Sequence, residues 1–321
     1  METPSALVRT IVLGLTAGAT QHLVAVDPWS ASLVCVEAVA DRSEGFAKLL
    51  GCATENCQRC VNQDVRDSGF RLSLVMLMER LEAAVHNNAA WCDTICRAHG
   101  GRCDFGNSAW LNRAKSPPLY PNMITLTPGP SRVHLASIKD LVAEQLPPGW
   151  SVKDSFASLD LTSMGFRVLF SAAWLDRDPT AGTKRNRALG VFVIRRKSQF
   201  VEWQTQWDRS SVNSGALASK LFSLQLLTIP DLAFIACHRD GEVVGGAVAN
   251  RSAGVIGLTN VFHRDGEALD VLDAVVGASL DRFGPLPLVG YLQPNELERW
   301  EHVGFVTIGR LRVWVSDASA A

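Results

Sequence analysis

The stretch from Gly257 to Leu280, GLTNVFHRDGEALDVLDAVVGASL, joins an apolar run of strand length to a segment with apolar residues at helical spacing. Between them lies HRDGEA, a polar segment in which Gly266 supplies the backbone freedom of a tight turn. A strand that turns directly into a helix of this length is typical of domains in which helices pack on a β-sheet. The stretch therefore predicts an α/β (α+β) fold class.

Composition limits the class of protein further. The chain has 321 residues, of which 47% are hydrophobic and 20% charged, so it can bury one large core or two medium ones. Its 31 basic and 32 acidic residues give a formal charge of −1, and like charges form no long block. We therefore expect no nucleic-acid or membrane partner. Apolar runs stop well short of the ~20 residues that a membrane-spanning helix needs.

The N-terminal residues LVRTIVLGLTAGATQ resemble a signal peptide in having one arginine, a short apolar run and small residues. Glu2 in the region that should be basic, and the glycines that interrupt the run, argue against secretion. We therefore expect a cytoplasmic protein. In that compartment the eight cysteines are thiols or metal ligands rather than disulfides.

Cys57 and Cys60 have the Cys-x-x-Cys spacing that lets two thiolates meet one metal ion. They predict a zinc site, with zinc as a second cofactor of the protein. The remaining ligands would come from a set of later residues, namely His86, Cys92, Cys96, His99 and Cys103. The alternative is that Cys92 and Cys96, four residues apart, are buried thiols on one face of a helix.

Residues 1–70 predict a separate βαβ-like segment that carries cysteines. Ile11–Gly14 and Leu33–Glu37 are of strand type, and Ala17–Val26 is interpreted as the helix between them. Gly14, Gly18 and the acidic Glu37 resemble the first motif of Rossmann-type methyltransferases, in which glycines admit a nucleoside cofactor and the acid binds its ribose. The alternative is a βαβ turn without a cofactor, because the segment is short for a complete Rossmann domain.

Residues 71–187 and 188–316 each alternate helices and strands. The first range predicts a helix at Leu72–Asn87, a second helix that ends at Gly100 and Gly101, a strand at Asn122–Thr127, a helix within 131–146 and a strand within 165–177. The second range predicts strands at Leu189–Ile194, Leu232–Cys237, Glu242–Asn250, Gly254–Phe262 and Leu286–Tyr291, and two more around Val306 and Val313. Its helices are predicted at Ser198–Trp207, near Gly215–Leu226, at Glu267–Phe283 and at Glu296–His302.

The order β-α-α-β-β-β-α-β-α-β-β resembles the GNAT acetyltransferase superfamily, with DGEVVGGAVA as a hairpin and WEHVGFVTIGRLRVW as a closing helix and hairpin. AAWCDTICRAHG, PPLYPNMITL and VKDSFASLDL look like tandem GNAT-like bacterial proteins. The resemblance covers roughly residues 75–316. It implies a GNAT-like mixed sheet flanked by helices in 188–316, and a partial second GNAT-like copy in 71–187 with an incomplete sheet packed beside the first.

The resemblance also implies a binding loop for acetyl-CoA or another acyl-CoA. In GNAT enzymes a Gln/Arg-x-x-Gly-x-Gly/Ala loop holds the pyrophosphate through backbone N–H groups and a helix N-terminus. The corresponding residues here are His263, Arg264, Gly266 and Ala268, with histidine in place of Gln or Arg. Asp265 and Glu267 oppose an anion at this loop, although an acid near a helix start also favours the helix dipole.

The catalytic residues implied by the resemblance are less regular. The helical tyrosine that usually protonates the leaving thiolate is replaced by Trp300, and an indole cannot act as that acid. Tyr291, at the end of the preceding strand, is the available substitute, and Asn260 could contact the acyl carbonyl. The alternative is a packed aromatic residue and a polar residue on a strand surface.

Two functions remain open. The first is an acyl-CoA-dependent N-acyltransferase acting on a small-molecule or peptide amine. The second is a non-catalytic GNAT-like protein that binds a ligand or partner, with the cysteine segment as a metal-dependent or redox-responsive addition. The fold alone does not separate them, because one fold serves many functions.

Overall fold

A computed structural model describes residues 20–26, 33–39, 48–51, 68–129, 132–182, 189–210 and 217–317, with side chains from residue 76 onward. The chain divides into two compact units, 1–77 and 78–321. Helix α1, Ser68–Ala98, begins in the first unit and continues in the second. Among the described residues no helix combines the length and apolar character needed to cross a membrane.

Besides the start of α1, the described part of the first unit is a three-stranded antiparallel sheet of β1 (Thr20–Val26), β2 (Leu33–Val39) and β3 (Lys48–Gly51). The helix predicted at Ala17–Val26 is wrong from Thr20 onward, because these residues pair with β2 over their whole length. Their β-branched content and a following partner of equal length favour a hairpin over a marginal helix. The βαβ prediction fails here, whereas Gly14 and Gly18 lie outside the described residues.

The described residues of the second unit form one mixed sheet of eleven strands. They are β4 (Cys103–Phe105), β5 (Ala109–Asn112), β6 (Met123–Thr125), β7 (Ser151–Asp154), β8 (Phe166–Arg177), β9 (Gly190–Val193), β10 (Leu232–Arg239), β11 (Glu242–Ser252), β12 (Val255–His263), β13 (Leu288–Leu292) and β14 (Val306–Ser316). The helices are α2 (Arg132–Ala143), α3 (Lys197–Ser210), α4 (Ala218–Leu221), α5 (Ala268–Phe283) and α6 (Leu297–His302). Short 3₁₀ turns lie at Thr162–Met164, Leu224–Thr228 and Pro294–Glu296.

The strand order is β4-β5-β6-β7-β14-β8-β13-β12-β11-β10-β9. Strands β6 and β7 pair in parallel, as do β12 and β13, and every other pair is antiparallel. The expectation of an incomplete sheet packed beside another is therefore wrong, because residues 71–187 and 188–316 contribute to the same sheet. Pairing of the two long strands β8 and β14 at its centre removes two edges that would otherwise be exposed.

The closing hairpin expected around Val306 and Val313 is a single strand instead, β14. Its two edges pair with β7 and β8, so the chain does not need to turn back on itself. Gly309, in the middle of the expected hairpin, therefore does not form a turn, and its lack of a side chain serves another purpose. A Cβ there would lie 2.9 Å from a methyl group of Leu81, so the glycine lets α1 approach the sheet.

Helices cover both faces of the sheet, as predicted. A Cβ at Gly245 would meet Val271 of α5, whereas a Cβ at the next residue, Gly246, would meet Trp203 of α3. Since side chains alternate along a strand, α3 and α5 lie on opposite faces. Helix α1 shares the face of α3, because Asn250, on the same side of β11 as Gly246, hydrogen-bonds Asn87 of α1.

The secondary structure predicted for residues 188–316 is largely confirmed. The Asp240-Gly241 turn between β10 and β11 has positive φ at both residues, 53° and 84°, as a two-residue hairpin requires.

The two helices predicted between Leu72 and Gly100 are one continuous helix, α1, whose buried face continues to Cys96. It ends before Gly100, which has a φ of 76°.

Candidate active site

Strands β12 and β13 diverge after a short parallel contact. They pair only at Ile256↔Leu288 and Gly257↔Val289. Asn260, just beyond, has a φ of 52°, and the β11–β12 register shifts beside it. Such a bulge bends a strand and increases its twist. The two strands therefore leave a gap inside the sheet.

A cavity of about 260 Å³ occupies this gap and extends to α1. Its walls are mainly apolar and aromatic, with a few polar side chains. The lining residues are Ala84, Asn87, Asn88, Trp91, Cys92, Leu119, Tyr120, Lys153, Trp174, Asn250, residues 257–261, residues 289–292 and Trp300. No carboxylate or imidazole is among these described residues. A cavity of this composition is typical of a small-molecule site.

Two asparagines connect α1 to the sheet at one wall. Asn87 Nδ2 donates to the carbonyl of Asn250 at 3.1 Å and to Ser252 Oγ at 3.0 Å. Asn250 Nδ2 donates to Asn87 Oδ1 at 3.0 Å. Gly257 makes this arrangement possible, because a Cβ there would overlap the Asn87 side chain.

Tyr291, on β13, meets an ammonium group in the cavity. Lys153 Nζ, on β7, donates to Tyr291 Oη at 3.2 Å and to Asn88 Oδ1 at 2.8 Å. The ring of Trp174 lies edge-on to Tyr291 with the centroids 5.5 Å apart. Since Lys153 donates to the phenol oxygen, the Tyr291 hydroxyl hydrogen is available to a group in the cavity.

The sequence did not lead us to expect Lys153 and Asn88 among the site residues. Lys153 sits in the short segment SVKD, where a lysine usually marks a solvated surface. The signal was the alternation along the strand: Val152 packs in the core beneath α2, so the next side chain points to the other face. Only the long-range placement of α1 makes that face buried.

Asn260 lines the same cavity as Tyr291, so the structure brings the two predicted catalytic residues together. Asn260 Nδ2 donates to Thr259 Oγ1 at 3.2 Å. Trp300 also lines the cavity, where its ring packs against Phe305 at 4.7 Å between centroids. The catalytic roles of Tyr291 and Asn260 stay predictions.

The predicted pyrophosphate loop lies at the end of β12. Arg264 N–H donates to Val244 at 2.7 Å, and Glu267 N–H donates to Arg264 at 3.0 Å. Among the described residues no backbone carbonyl accepts the N–H of Asp265 or Gly266. Gly266 has a φ of 82°, and a Cβ there would have no heavy atom within 4 Å. The turn is therefore open on the side where a Cβ of residue 266 would lie.

The charges of the loop are partly neutralised. Arg239 donates to both carboxylate oxygens of Glu267, at 2.9 and 2.8 Å, and to Asp270 at 2.9 Å. The repulsion that Glu267 would exert on an anion is therefore reduced. Arg264, the basic residue of the loop, is itself paired with Glu242 at 2.9 Å. His263 Nδ1 lies 3.3 Å from the Arg264 carbonyl.

The second parallel pair, β6 and β7, is bridged rather than open. Thr125 Oγ1 accepts the Ser155 N–H at 2.8 Å just after the last paired residues. The buried His134, in the first turn of α2, reaches back to the turn that follows β6: its Nε2 lies 2.9 Å from the Ser108 carbonyl and its Nδ1 lies 3.1 Å from that of Gly129. This turn is filled by the protein's own side chain.

Cys57 and Cys60 lie outside the described residues, so the zinc prediction stays a prediction. Among the described residues no group of three His, Cys, Asp or Glu side chains could hold a metal ion. Cys92, Cys96 and Cys103 are buried free thiols. Burial raises the pKa of Cys103 to about 11 and raises that of Cys96 further, so both are protonated thiols at neutral pH.

No family model and no curated protein matches the sequence. A functionally unknown conserved protein from Staphylococcus epidermidis has 10% identity and a TM-score of 0.51, covering 68% of this chain and 94% of its own. A GCN5-related N-acetyltransferase from Kribbella flavida has 11% identity and a TM-score of 0.49, covering 71% and 95%. A tandem GNAT protein from the clavulanic acid biosynthesis pathway has 12% identity and a TM-score of 0.45, covering 66% and 82%.

The likeness to the Staphylococcus epidermidis protein, at 10% identity, is one of fold. Structural neighbours over most of this chain are GNAT acetyltransferases, including a tandem GNAT protein, all at low sequence identity.

Proposed function

We propose that this protein is an acyl-CoA-dependent N-acyltransferase that acts on a small-molecule or peptide amine, with acetyl-CoA as the first donor to test. The observation that carries the proposal is a property of one strand, β12. Its edge lines the cavity at the divergence from β13, and its end forms the open turn into α5. A thioester and a pyrophosphate could thus be held by the same strand.

The partial second copy is part of the proposal. The sheet order supports it, because β4-β5-β6-β7 and β10-β11-β12-β13 stand in mirrored positions about the central strands β14 and β8. Each series contains a parallel pair joined through a helix, α2 in one and α5 in the other. Only the β12–β13 divergence is proposed as a site, because Thr125 and His134 fill the other.

The backbone of the loop is suited to bind a pyrophosphate. The N–H groups of Asp265 and Gly266 have no backbone acceptor in the part of the chain that the structure describes, and the first turn of α5 adds the positive end of its dipole. Gly266 lets an anion approach the backbone closely. The Asp265 carboxylate opposes the anion, and Arg264 is engaged with Glu242. We therefore expect weak coenzyme binding.

The proposed reaction forms a bond from the amine nitrogen to the thioester carbonyl carbon and breaks the carbon–sulfur bond. Tyr291 donates its hydroxyl proton to the leaving thiolate, and the Lys153 ammonium, 3.2 Å away, stabilises the phenolate that remains. Asn260 and the unpaired edge of β12 polarise the carbonyl oxygen. The amine loses its proton to water, because none of the described cavity residues is a carboxylate or imidazole.

A thermal-shift panel with acetyl-CoA, longer acyl-CoAs and S-adenosylmethionine tests the proposal first. A ligand at a hundred times its dissociation constant should add about 2.7 kcal/mol to the free energy of unfolding. Acyl-CoA should raise the melting temperature, and S-adenosylmethionine should not. Release of the coenzyme A thiol with an amine panel then tests turnover. Calorimetry without heat from any acyl-CoA at millimolar concentration would contradict the proposal.

The non-catalytic alternative rests on one observation, the replacement of the helical tyrosine by the buried Trp300. In that case acyl-CoA would bind at the loop but no amine would be acylated. Binding without thiol release across the amine panel would select this alternative. A metal- or redox-responsive role of Cys57 and Cys60 would then be tested by elemental analysis.

A further inference from the structure

Lys153 is a buried ammonium group that has no carboxylate partner in the described part of the chain. The residue is only 4% exposed, and among the described residues no carboxylate lies within ion-pair distance of Nζ. Two of its three N–H groups are used by neutral acceptors, Asn88 Oδ1 and Tyr291 Oη. A buried charge is costly unless it is paired. The residues that the structure describes supply no counterion for this one.

The cavity around Lys153 offers donors rather than negative charge. Asn88 uses its Oδ1 to accept from Lys153, so its Nδ2 remains a donor. Tyr291 and Tyr120 add hydroxyl groups, and the described residues that line the cavity include no Asp or Glu. The Tyr291 ring lies 4.3 Å from Nζ, which stabilises the ammonium in place. This is the arrangement that receives a carboxylate.

We infer that the substrate amine also carries a carboxylate, as α-amino acids and their derivatives do, and that Lys153 and Asn88 bind this carboxylate. The inference rests on the proposed function for the identity of the reaction. The cavity volume of about 260 Å³ and the walls of Trp91, Trp174 and Trp300 favour a small acceptor with an apolar side chain.

The test compares paired acceptors that differ only in the carboxylate. Apolar L-amino acids and their primary amides are assayed with acetyl-CoA by thiol release, in the wild type and in Lys153→Met. We expect the wild type to prefer each amino acid over its amide by about 10- to 100-fold in kcat/KM, as a charge-assisted hydrogen bond predicts. Lys153→Met should remove this preference.

The ratio between amino acid and amide is the decisive quantity. Lys153 also contacts Tyr291, so its loss lowers turnover of both substrates, but that effect cancels in the ratio. Lys139, an exposed lysine on α2, is not among the residues that line the cavity, so Lys139→Met removes the same charge and should leave the ratio unchanged. Lys153→Gln, which keeps a donor without the charge, replaces Lys153→Met if that variant does not fold.

A carboxylate could instead belong to the acyl chain. Acetyl-CoA and succinyl-CoA are therefore compared with one amine that has no carboxylate. A preference for succinyl-CoA that Lys153→Met removes would keep the carboxylate site but place it on the donor, which overturns the acceptor assignment. Equal ratios in the wild type and Lys153→Met for both pairs would overturn the carboxylate site.

A binding readout separates this inference from the proposed function. N-acetyl amino acids and their amides are tested by thermal shift without coenzyme A. A shift with the acids only, lost in Lys153→Met, supports the carboxylate site even if no acyl transfer is found. Acyl transfer without any discrimination between acid and amide supports the proposed function and refutes this inference.

Discussion

Asn87 and Asn250, 163 residues apart in the chain, donate to each other across the wall of the cavity. Asn87 Nδ2 lies 3.1 Å from the Asn250 carbonyl oxygen, and Asn250 Nδ2 lies 3.0 Å from Asn87 Oδ1. Both side chains are buried, so neither amide has water as a substitute partner. This pair fixes α1, which carries Asn88 and Trp91, over the divergence of β12 and β13.

Gly257→Ala should separate this pair. Its Cβ would overlap the Asn87 side chain, so the two amides would lose their mutual hydrogen bonds or the helix would shift. We expect a loss of about 1–3 kcal/mol in the free energy of unfolding, measured by urea denaturation. Gly190→Ala, on β9, is the matched control, because its Cβ would make only ordinary contacts near 3.7 Å. Equal stability of both variants would contradict the role of Gly257.

Gly266→Trp should abolish the thermal shift with acyl-CoA. The indole would occupy the open side of the turn where the Asp265 and Gly266 N–H groups lie. A non-glycine residue at a φ of 82° is strained in its own right, so some stability is lost as well. Gly254→Trp controls for this, because Gly254 has a φ of 74°, similar open space and a position at the other end of β12. A full acyl-CoA shift in Gly266→Trp would place the coenzyme elsewhere.

Tyr291→Phe should spare acyl-CoA binding and lower kcat. The change removes the proposed acid but keeps the ring that packs against Trp174. General-acid catalysis contributes about 10²- to 10⁴-fold, so we expect a loss in this range. Tyr120→Phe removes another phenol hydroxyl of the cavity and should change kcat much less. An unchanged kcat in Tyr291→Phe, measured by thiol release at saturating substrates, would exclude Tyr291 as the acid.

Local chemistry made much of residues 188–316 predictable. The Asp240-Gly241 turn and the strand-turn-helix around Gly266 each follow from residues within a few positions of one another. The continuation of α1 to Ala98 could also have been found, since no helix breaker separates Asn87 from Cys92. These elements depend on the identity of neighbouring residues.

The features that could not be predicted depend on contacts between residues that are distant in sequence. Nothing local to Val306–Ser316 shows that both edges of β14 find partners in 71–187, so a hairpin was expected there. The burial of Lys153 likewise requires two distant elements. Asn88 of α1 is 65 residues away in the sequence, and Tyr291 of β13 is 138 residues away. Sequence reasoning thus found Tyr291 and Asn260 but missed the ammonium group beside them.

The pH dependence of stability offers a test of burial at Asp176, on β8. Burial raises the pKa of this carboxyl from its ordinary value of 3.8, although Arg80, 3.8 Å away, acts in the opposite direction. The folded state therefore holds the proton more tightly than the unfolded state. The stability that this proton contributes is complete below the unfolded pKa and is lost as the pH rises through the higher folded pKa.

Asp176→Asn removes that titration, so the stability of the variant minus that of the wild type should increase as the pH rises from about 3 to 7. Asp160→Asn should behave in the opposite way, because hydrogen bonds from Thr162 lower the pKa of the exposed Asp160. Its stabilising contribution is present above the unfolded pKa and is lost as the pH falls, so the same difference should decrease as the pH rises. Urea denaturation is the suitable measurement, since guanidinium chloride would screen the charges. A difference for Asp176→Asn that is independent of pH would show that Asp176 is solvated, and β8 would then not be covered by α1 at that position.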